Sequence, residues 1–290
     1  MRNGFSPDLE EQHIEETDWI FGTSSPPCIA LIPEEERLKY LPIGEVQRGR
    51  DDFMDCATRG PINIAEAKFT FLYRLNLLTA EEKEWFDRWG YVVWRGGLPW
   101  IEFSDRYIAI LSGTTKFGNS MKAPIDAIHS YGLIPKSMLP ASPDMTLAEY
   151  LDRTKVTRAM EELGKHFQSR FTIYYDKVID FDTTGDMEVN AGHAWPSPKN
   201  GIYPRNDGPF NHVWANIMKP RYTVYDNYID SVDGDFIKRL AKDYRLVDHG
   251  YRLFIKRNEV KVSRSYLDQL ISALFRGDLS EVWRLIAQKP

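Results

Sequence analysis

The order of residue patterns along the chain predicts an α+β fold with a helical N-terminal lobe and a strand-rich C-terminal lobe. Two observations carry that reading. Apolar residues recur at helical spacing through residues 40–170, and from Phe171 onward the apolar runs become aromatic and β-branched, broken by Pro, Gly and Asp. Strands and helices are therefore segregated rather than alternating, which argues against a parallel βαβ sheet and for two lobes meeting at a cleft.

Residues 1–39 are acidic and proline-bearing (Pro26, Pro27, Pro33), with Trp19, Ile20 and Phe21 as apolar anchors, and read as an arm laid over a core. In the helical lobe, Ile64, Ala67, Phe71, Leu72 and Leu75 define an amphipathic helix over 63–77, and Thr79-Ala-Glu-Glu is a capping box opening the next. Further helices are expected over 104–111, 120–131, 147–152 and 156–169. In the second lobe, residues 171–256, the runs FTIYYDKVIDF, HVWANIM, RYTVYDNY and GYRLFIK read as strands. Residues 257–290 carry an apolar stripe (Leu267, Leu270, Ile271, Leu274, Phe275, then Val282, Leu285, Ile286) expected to pack on the core or to serve self-association with a partner or second copy.

Composition narrows the function classes. A net charge of -5 gives no general attraction to nucleic acid or anionic membranes. No apolar run reaches the roughly 18 residues of a membrane span, and the acidic start MRNGFSPDLEEQ does not read as a signal peptide. Two cysteines, Cys28 and Cys56, make no disulfide framework and suit a reducing compartment such as the cytoplasm. Zinc spacing and phosphate-binding glycine loops are missing, and the acidic run DNYIDSVDGDF lacks the spacing of a calcium loop, so no cofactor or metal is expected.

What remains is a thiol, an imidazole and a carboxylate or amide, each where local sequence can present it: Cys56, His212 in Asn-His-Val-Trp, and Asp226-Asn227 at the end of a strand. These are the parts of a nucleophilic hydrolase. The five other histidines read as structural, with His193 the nearest rival to His212.

Cysteine followed by a helix, Gln47 upstream, Asn-His at a strand start and Asp-Asn-Tyr at the end of the next strand resemble the papain-like cysteine peptidases. The spacing Cys56, Asn63, Glu66 resembles divergent phage and environmental members more closely, and the stretch GNSMKAPIDAIHSYGLIPKSMLP resembles the papain-type segment in which a glycine-rich turn precedes a helix and then a Gly-Ile/Leu and a Pro. The likeness spans about 40–256, while the Gln-Gly-x-Cys-Gly-x-Cys-Trp motif of the family is missing. The resemblance implies a papain-like fold with the site in the cleft, a peptide or protein substrate, and a cytoplasmic or phage-particle setting. It makes Cys56 the nucleophile, His212 the general base and acid, Gln47 an oxyanion-hole donor with the Cys56 N–H, and Tyr228 a shield.

Asp226 and Asn227 compete to orient the imidazole. A two-residue loop at Lys219-Pro220 sets Asn227 opposite His212, whereas an odd loop sets Asp226 there. Proline's fixed φ disfavours the two-residue turn, and hence favours Asp226. Two features oppose the assignment. Asp51, Asp52 and Asp55 crowd the thiol with negative charge, and Gly60-Pro61 is expected to delay the long helix to Pro61, leaving Cys56 on a separate turn. The alternatives are a scaffold of this fold without turnover and a transglutaminase-type acyl transferase.

Overall fold

A computed structural model describes residues 4–13, 29–44, 47, 50–179, 185–194, 198–205, 207–218, 223–227, 236–258 and 284. Cys28, Tyr228, the Lys219-Pro220 turn, the acidic run from Asp230 and the apolar stripe of the C-terminal extension lie outside the described residues.

The architecture is α+β, with most helices in the N-terminal part and a large mixed sheet in the C-terminal part. The helices are α1 (Pro7–His13), α2 (Cys56–Arg74), α3 (Ala80–Arg88), α4 (Asp105–Leu111), α5 (Lys122–Tyr131), α6 (Leu147–Tyr150) and α7 (Arg158–Arg170). Capping explains several starts: Thr79 closes a capping box with Glu82, Ser104 accepts from the Tyr107 N–H, and Thr157 from the Met160 N–H.

Helix α2 corrects one expectation. It begins at Cys56, not at Pro61, and runs unbroken for 19 residues through Gly60 and Pro61. Gly60 is there for close approach. A Cβ on it would lie 3.1 Å from Val213 Cγ1 and 3.3 Å from Val189 Cγ1, so the helix rests directly on the sheet that carries His212.

The helical part also contains a hairpin that helical spacing had hidden, β1 (Val92–Arg95) with β2 (Leu98–Ile101). Gly96 and Gly97 both take positive φ, 57° and 78°, as a two-residue type I′ turn requires. The remaining strands are β3 (Phe171–Val178), β4 (Glu188–Gly192), β5 (Ile202–Tyr203), β6 (His212–Met218), β7 (Thr223–Tyr225), β8 (Ile237–Leu240) and β9 (Gly250–Arg257). They form one sheet in the order β3-β9-β4-β6-β7-β8-β5, antiparallel except for the β5–β8 pair.

The main core lies between α2 and this sheet and continues into a cluster of Phe69, Phe86, Tyr91, Phe103, Phe167 and Phe171 rings. Of the expected N-terminal arm, the anchors Trp19, Ile20 and Phe21 lie outside the described residues; among the described ones Ala30 and Ile32 are fully buried, and the Ile29 N–H donates to the Ile255 carbonyl. Buried Arg37 caps the Ile217 and Ile32 carbonyls.

Candidate active site

The segment leading into α2 is built by acceptor side chains. Asp52 Oδ1 accepts from the Met54 N–H at 2.9 Å and from Gln47 Nε2 at 2.8 Å, which closes a tight turn with Met54 at φ 56°. A non-glycine residue in the left-handed region costs energy and persists only where its surroundings hold it. Here the turn delivers Cys56 as the first residue of α2, where the helix dipole favours an anion.

The acidic crowd around Cys56 is largely spent on structure. Asp51 accepts from the Leu147 N–H at 2.9 Å. Asp55 points away into a buried network, 2.9 Å from Arg59 Nε and 2.5 Å from the Tyr150 hydroxyl, while Arg59 Nη2 reaches Asp105 at 2.6 Å. Burial pushes Asp55 up to about 6 despite Arg59. Asp52 acts on the thiol as the sequence predicts, raising it.

Cys56 and His212 meet across the seam between α2 and β6. The thiol hydrogen-bonds the imidazole and accepts the Val213 backbone N–H. His212 Nε2 lies 2.7 Å from Asp226 Oδ1, which leaves Nδ1 to face the sulfur. Asp226 Oδ2 in turn accepts from the Tyr203 hydroxyl at 2.5 Å. The result is a chain of four side chains, Tyr203, Asp226, His212 and Cys56, with Trp214 edge-on to the imidazole at 5.4 Å.

Sheet parity places Asp226 there, by a route other than the expected odd loop. Residues 219–222 separate the last β6–β7 pair, Met218 with Thr223, and a bulge between Asn216 and Met218 restores the pairing Ala215 with Tyr225. Asp226 then shares the His212 face one step diagonally, while Asn227 turns to the other. Asn227 is therefore not behind the imidazole. Its Oδ1 accepts from Asn63 Nδ2 of α2 at 2.5 Å and its carbonyl accepts the Gln47 N–H at 2.9 Å, so it ties three segments together. The rival His193 contacts the Pro209 carbonyl.

The site is closed. Cys56 is 1% exposed and His212 0%. Residues 4–6 pair with Asn119 and Asn211: the Asn119 N–H donates to the Gly4 carbonyl at 2.8 Å, the Ser6 N–H to the Asn119 carbonyl at 2.9 Å, and the Phe5 N–H to the Asn211 carbonyl at 3.3 Å. Gly4 packs so tightly on Met54 that a Cβ would sit 2.5 Å from its backbone. The arm thus lies on the residues flanking both Cys56 and His212. Closure sets the charges. Burial is the largest influence on the thiol and lifts it above its ordinary 9.0, against the pull of His212 and the Val213 N–H. Burial works against the imidazolium too, but Asp226 and Cys56 prevail and raise His212 well above 6.5.

Sequence reading missed Tyr203, Trp214 and the backbone of Asn119 and Asn211. Tyr203 sits in a two-residue strand with no periodicity to mark it. Among the described residues no cluster of His, Cys, Asp and Glu could hold a metal, and no helix is long and apolar enough to cross a membrane.

No family model and no curated protein matches the chain. Among solved structures it is similar to digestive procathepsin L 3 of the Tenebrio molitor larval midgut, at 12% identity and a TM-score of 0.49 over 87% of this chain and 76% of that one. It is also similar to the proform of the Amb a 11 cysteine protease, a major ragweed pollen allergen, at 13% identity and 0.47 over 83% and 70%. A third similar structure is Xylellain, a cysteine protease from Xylella fastidiosa, at 10% and 0.44 over 84% and 96%.

Proposed function

We propose that this chain is a papain-like cysteine peptidase that cleaves a peptide or isopeptide bond through a thioester acyl-enzyme. The observation that carries the reading is the hydrogen-bonded contact of Cys56, at the start of a 19-residue helix, with an imidazole whose far nitrogen is held by Asp226 at 2.7 Å. A thiol, a base and an orienting carboxylate in that order are what nucleophilic catalysis needs.

In this mechanism His212 takes the Cys56 proton, and the thiolate sulfur attacks the substrate carbonyl carbon. The oxyanion is stabilised by the Cys56 backbone N–H and by Gln47, whose amide orientation is set by Asp52. As the C–N bond breaks, the imidazolium gives its proton to the leaving amine. Water, deprotonated by His212, then attacks the thioester and releases the carboxylic acid product and the thiol. Asp226 keeps the imidazole oriented and compensates its charge, with Tyr203 as a positioning residue behind it. The phage-type sequence resemblance extends the reading to protein processing during particle assembly.

Burial of Cys56 favours one competing reading, a scaffold that never turns over. Glu10 of α1 anchors the arm, its carboxylate accepting from the Met121 N–H at 2.5 Å and from the Tyr251 hydroxyl at 2.7 Å. The test is a mixed peptide library incubated with the full chain bearing Glu10→Ala, which removes that anchor, followed by mass spectrometry. Cleavage that Cys56→Ala and His212→Ala each abolish supports the peptidase. Cleavage that survives Cys56→Ala, or none in any background, refutes it.

A further inference from the structure

Of the three aspartates that precede Cys56, two are committed elsewhere. Asp51 accepts from the Leu147 N–H, and Asp55 from Arg59 and the Tyr150 hydroxyl. Asp52 stays at the site. Its Oδ1 accepts from Gln47 Nε2 at 2.8 Å and from the Met54 N–H at 2.9 Å, and no cation among the described residues makes an ion pair with it. It keeps partial exposure, whereas Gln47 and Cys56 are buried. A carboxylate partly in water, with Oδ2 outside both of those bonds, can take up a cation from outside.

That position opposes the proposed reaction twice. Asp52 raises the thiol and so disfavours the thiolate. Gln47 Nε2 stabilises an oxyanion only from about 3 Å, so the Asp52 oxygen 2.8 Å from the same nitrogen lies within about 6 Å of the developing charge. At an effective dielectric of about 20, like charges about 6 Å apart disfavour each other by about a hundredfold in an equilibrium. A substrate cation that pairs with Asp52 lifts both penalties while the substrate is bound. Its binding energy then appears in the transition state, where it accelerates the reaction.

We propose that Asp52 is a specificity-determining residue that selects substrates with lysine or arginine as the residue giving the scissile carbonyl. The side-chain cation neutralises the carboxylate beside Gln47 and Cys56. This role rests on the peptidase reading. The long flexible stems of lysine and arginine start one bond from the scissile carbonyl and can bring their charge to Asp52. Methionine has a stem of similar length and no charge, and glutamate adds a second anion.

Asp52→Asn is the discriminating change, because asparagine Oδ1 still accepts from Gln47 and Met54 and only the charge is lost. Full-length Glu10→Ala protein, with and without Asp52→Asn, is given acetylated, amidated Ala-Gly heptapeptides carrying one central Lys, Arg, Met or Glu, and kcat/KM is followed by mass spectrometry. Cleavage after Lys and Arg is expected to be at least tenfold faster than after Met. In Asp52→Asn the ratio falls below threefold because cleavage after Met speeds up. Cleavage without basic preference, or a preference that survives Asp52→Asn, overturns the proposal and spares the peptidase. A second measurement needs no turnover: the rates at which cationic 2-aminoethyl and anionic 2-sulfonatoethyl methanethiosulfonate modify Cys56, read by peptide mapping. Asp52→Asn is expected to lower the cation-to-anion rate ratio at least fivefold, and an unchanged ratio overturns the proposal. A lowered ratio with no peptide cleaved in any background supports the charge selection by Asp52 and sinks the peptidase reading.

Discussion

Tyr203→Phe isolates one bond in the chain behind the imidazole. The hydroxyl donates to Asp226 Oδ2 at 2.5 Å, and Tyr203 and Asp226 are both 1% exposed. The ring stacks on Trp214 at 5.4 Å, a contact that phenylalanine retains, so the loss is confined to the hydrogen bond. A hydrogen bond to a charged group contributes about 1.5–3 kcal/mol. With a urea m-value of about 3 kcal/mol/M, at the upper end for small proteins, the midpoint drops by about 0.5–1 M. The same deletion loosens the carboxylate that orients His212. In the arm-loosened Glu10→Ala background, the alkylation rate of Cys56 by iodoacetamide against pH therefore falls in height and changes in midpoint. A purely structural role for Tyr203 shifts the urea midpoint and leaves the alkylation profile where it was. An unchanged midpoint together with an unchanged profile would refute the idea that Tyr203, Asp226, His212 and Cys56 act as a unit.

Two further outcomes follow from the same geometry. Gly60→Ala gains about 1 kcal/mol of helix propensity against a 3.1 Å contact with Val213, whereas Gly60→Val adds two methyls at the seam and costs about 1–3 kcal/mol of overpacking; urea midpoints should place Ala near wild type and Val well below, with slower Cys56 alkylation in Val only. The His212 pKa is raised above 6.5, so its stabilisation is complete below that value and is lost as pH rises through the higher folded value. Stability measured by urea from pH 6 to 10 should decline more steeply in wild type than in His212→Gln, and parallel curves would contradict the imidazolium–carboxylate pair.

Sequence by itself determined the fold class and the chemical parts. Helical period through the first half, β-branched runs after Phe171 and the capping boxes are local consequences of backbone geometry, so they are legible without a partner. Cys56, His212 and Asp226 were legible as a thiol, an imidazole and a carboxylate in a meaningful order; hairpin parity preferred Asp226 through an odd loop, whereas an even separation corrected by a bulge is what puts it on the His212 face. Tertiary structure decided the rest. Pro61 looked like a helix start because sequence shows its missing N–H but not Gly60 pressed on Val213 and Val189, the packing that holds α2 together from Cys56 onward. The three aspartates looked like a threat to the thiolate because charge is visible in sequence and direction is not; Arg59 and the Leu147 N–H absorb two of them. Tyr203 and Glu10 gave no local signal because their partners lie 23 residues away for one and 239 and 241 away for the other. Hydrogen bonds between groups so far apart exist only once the chain has closed around them, and they are what sets the charge, the cover and the neighbourhood of the thiol.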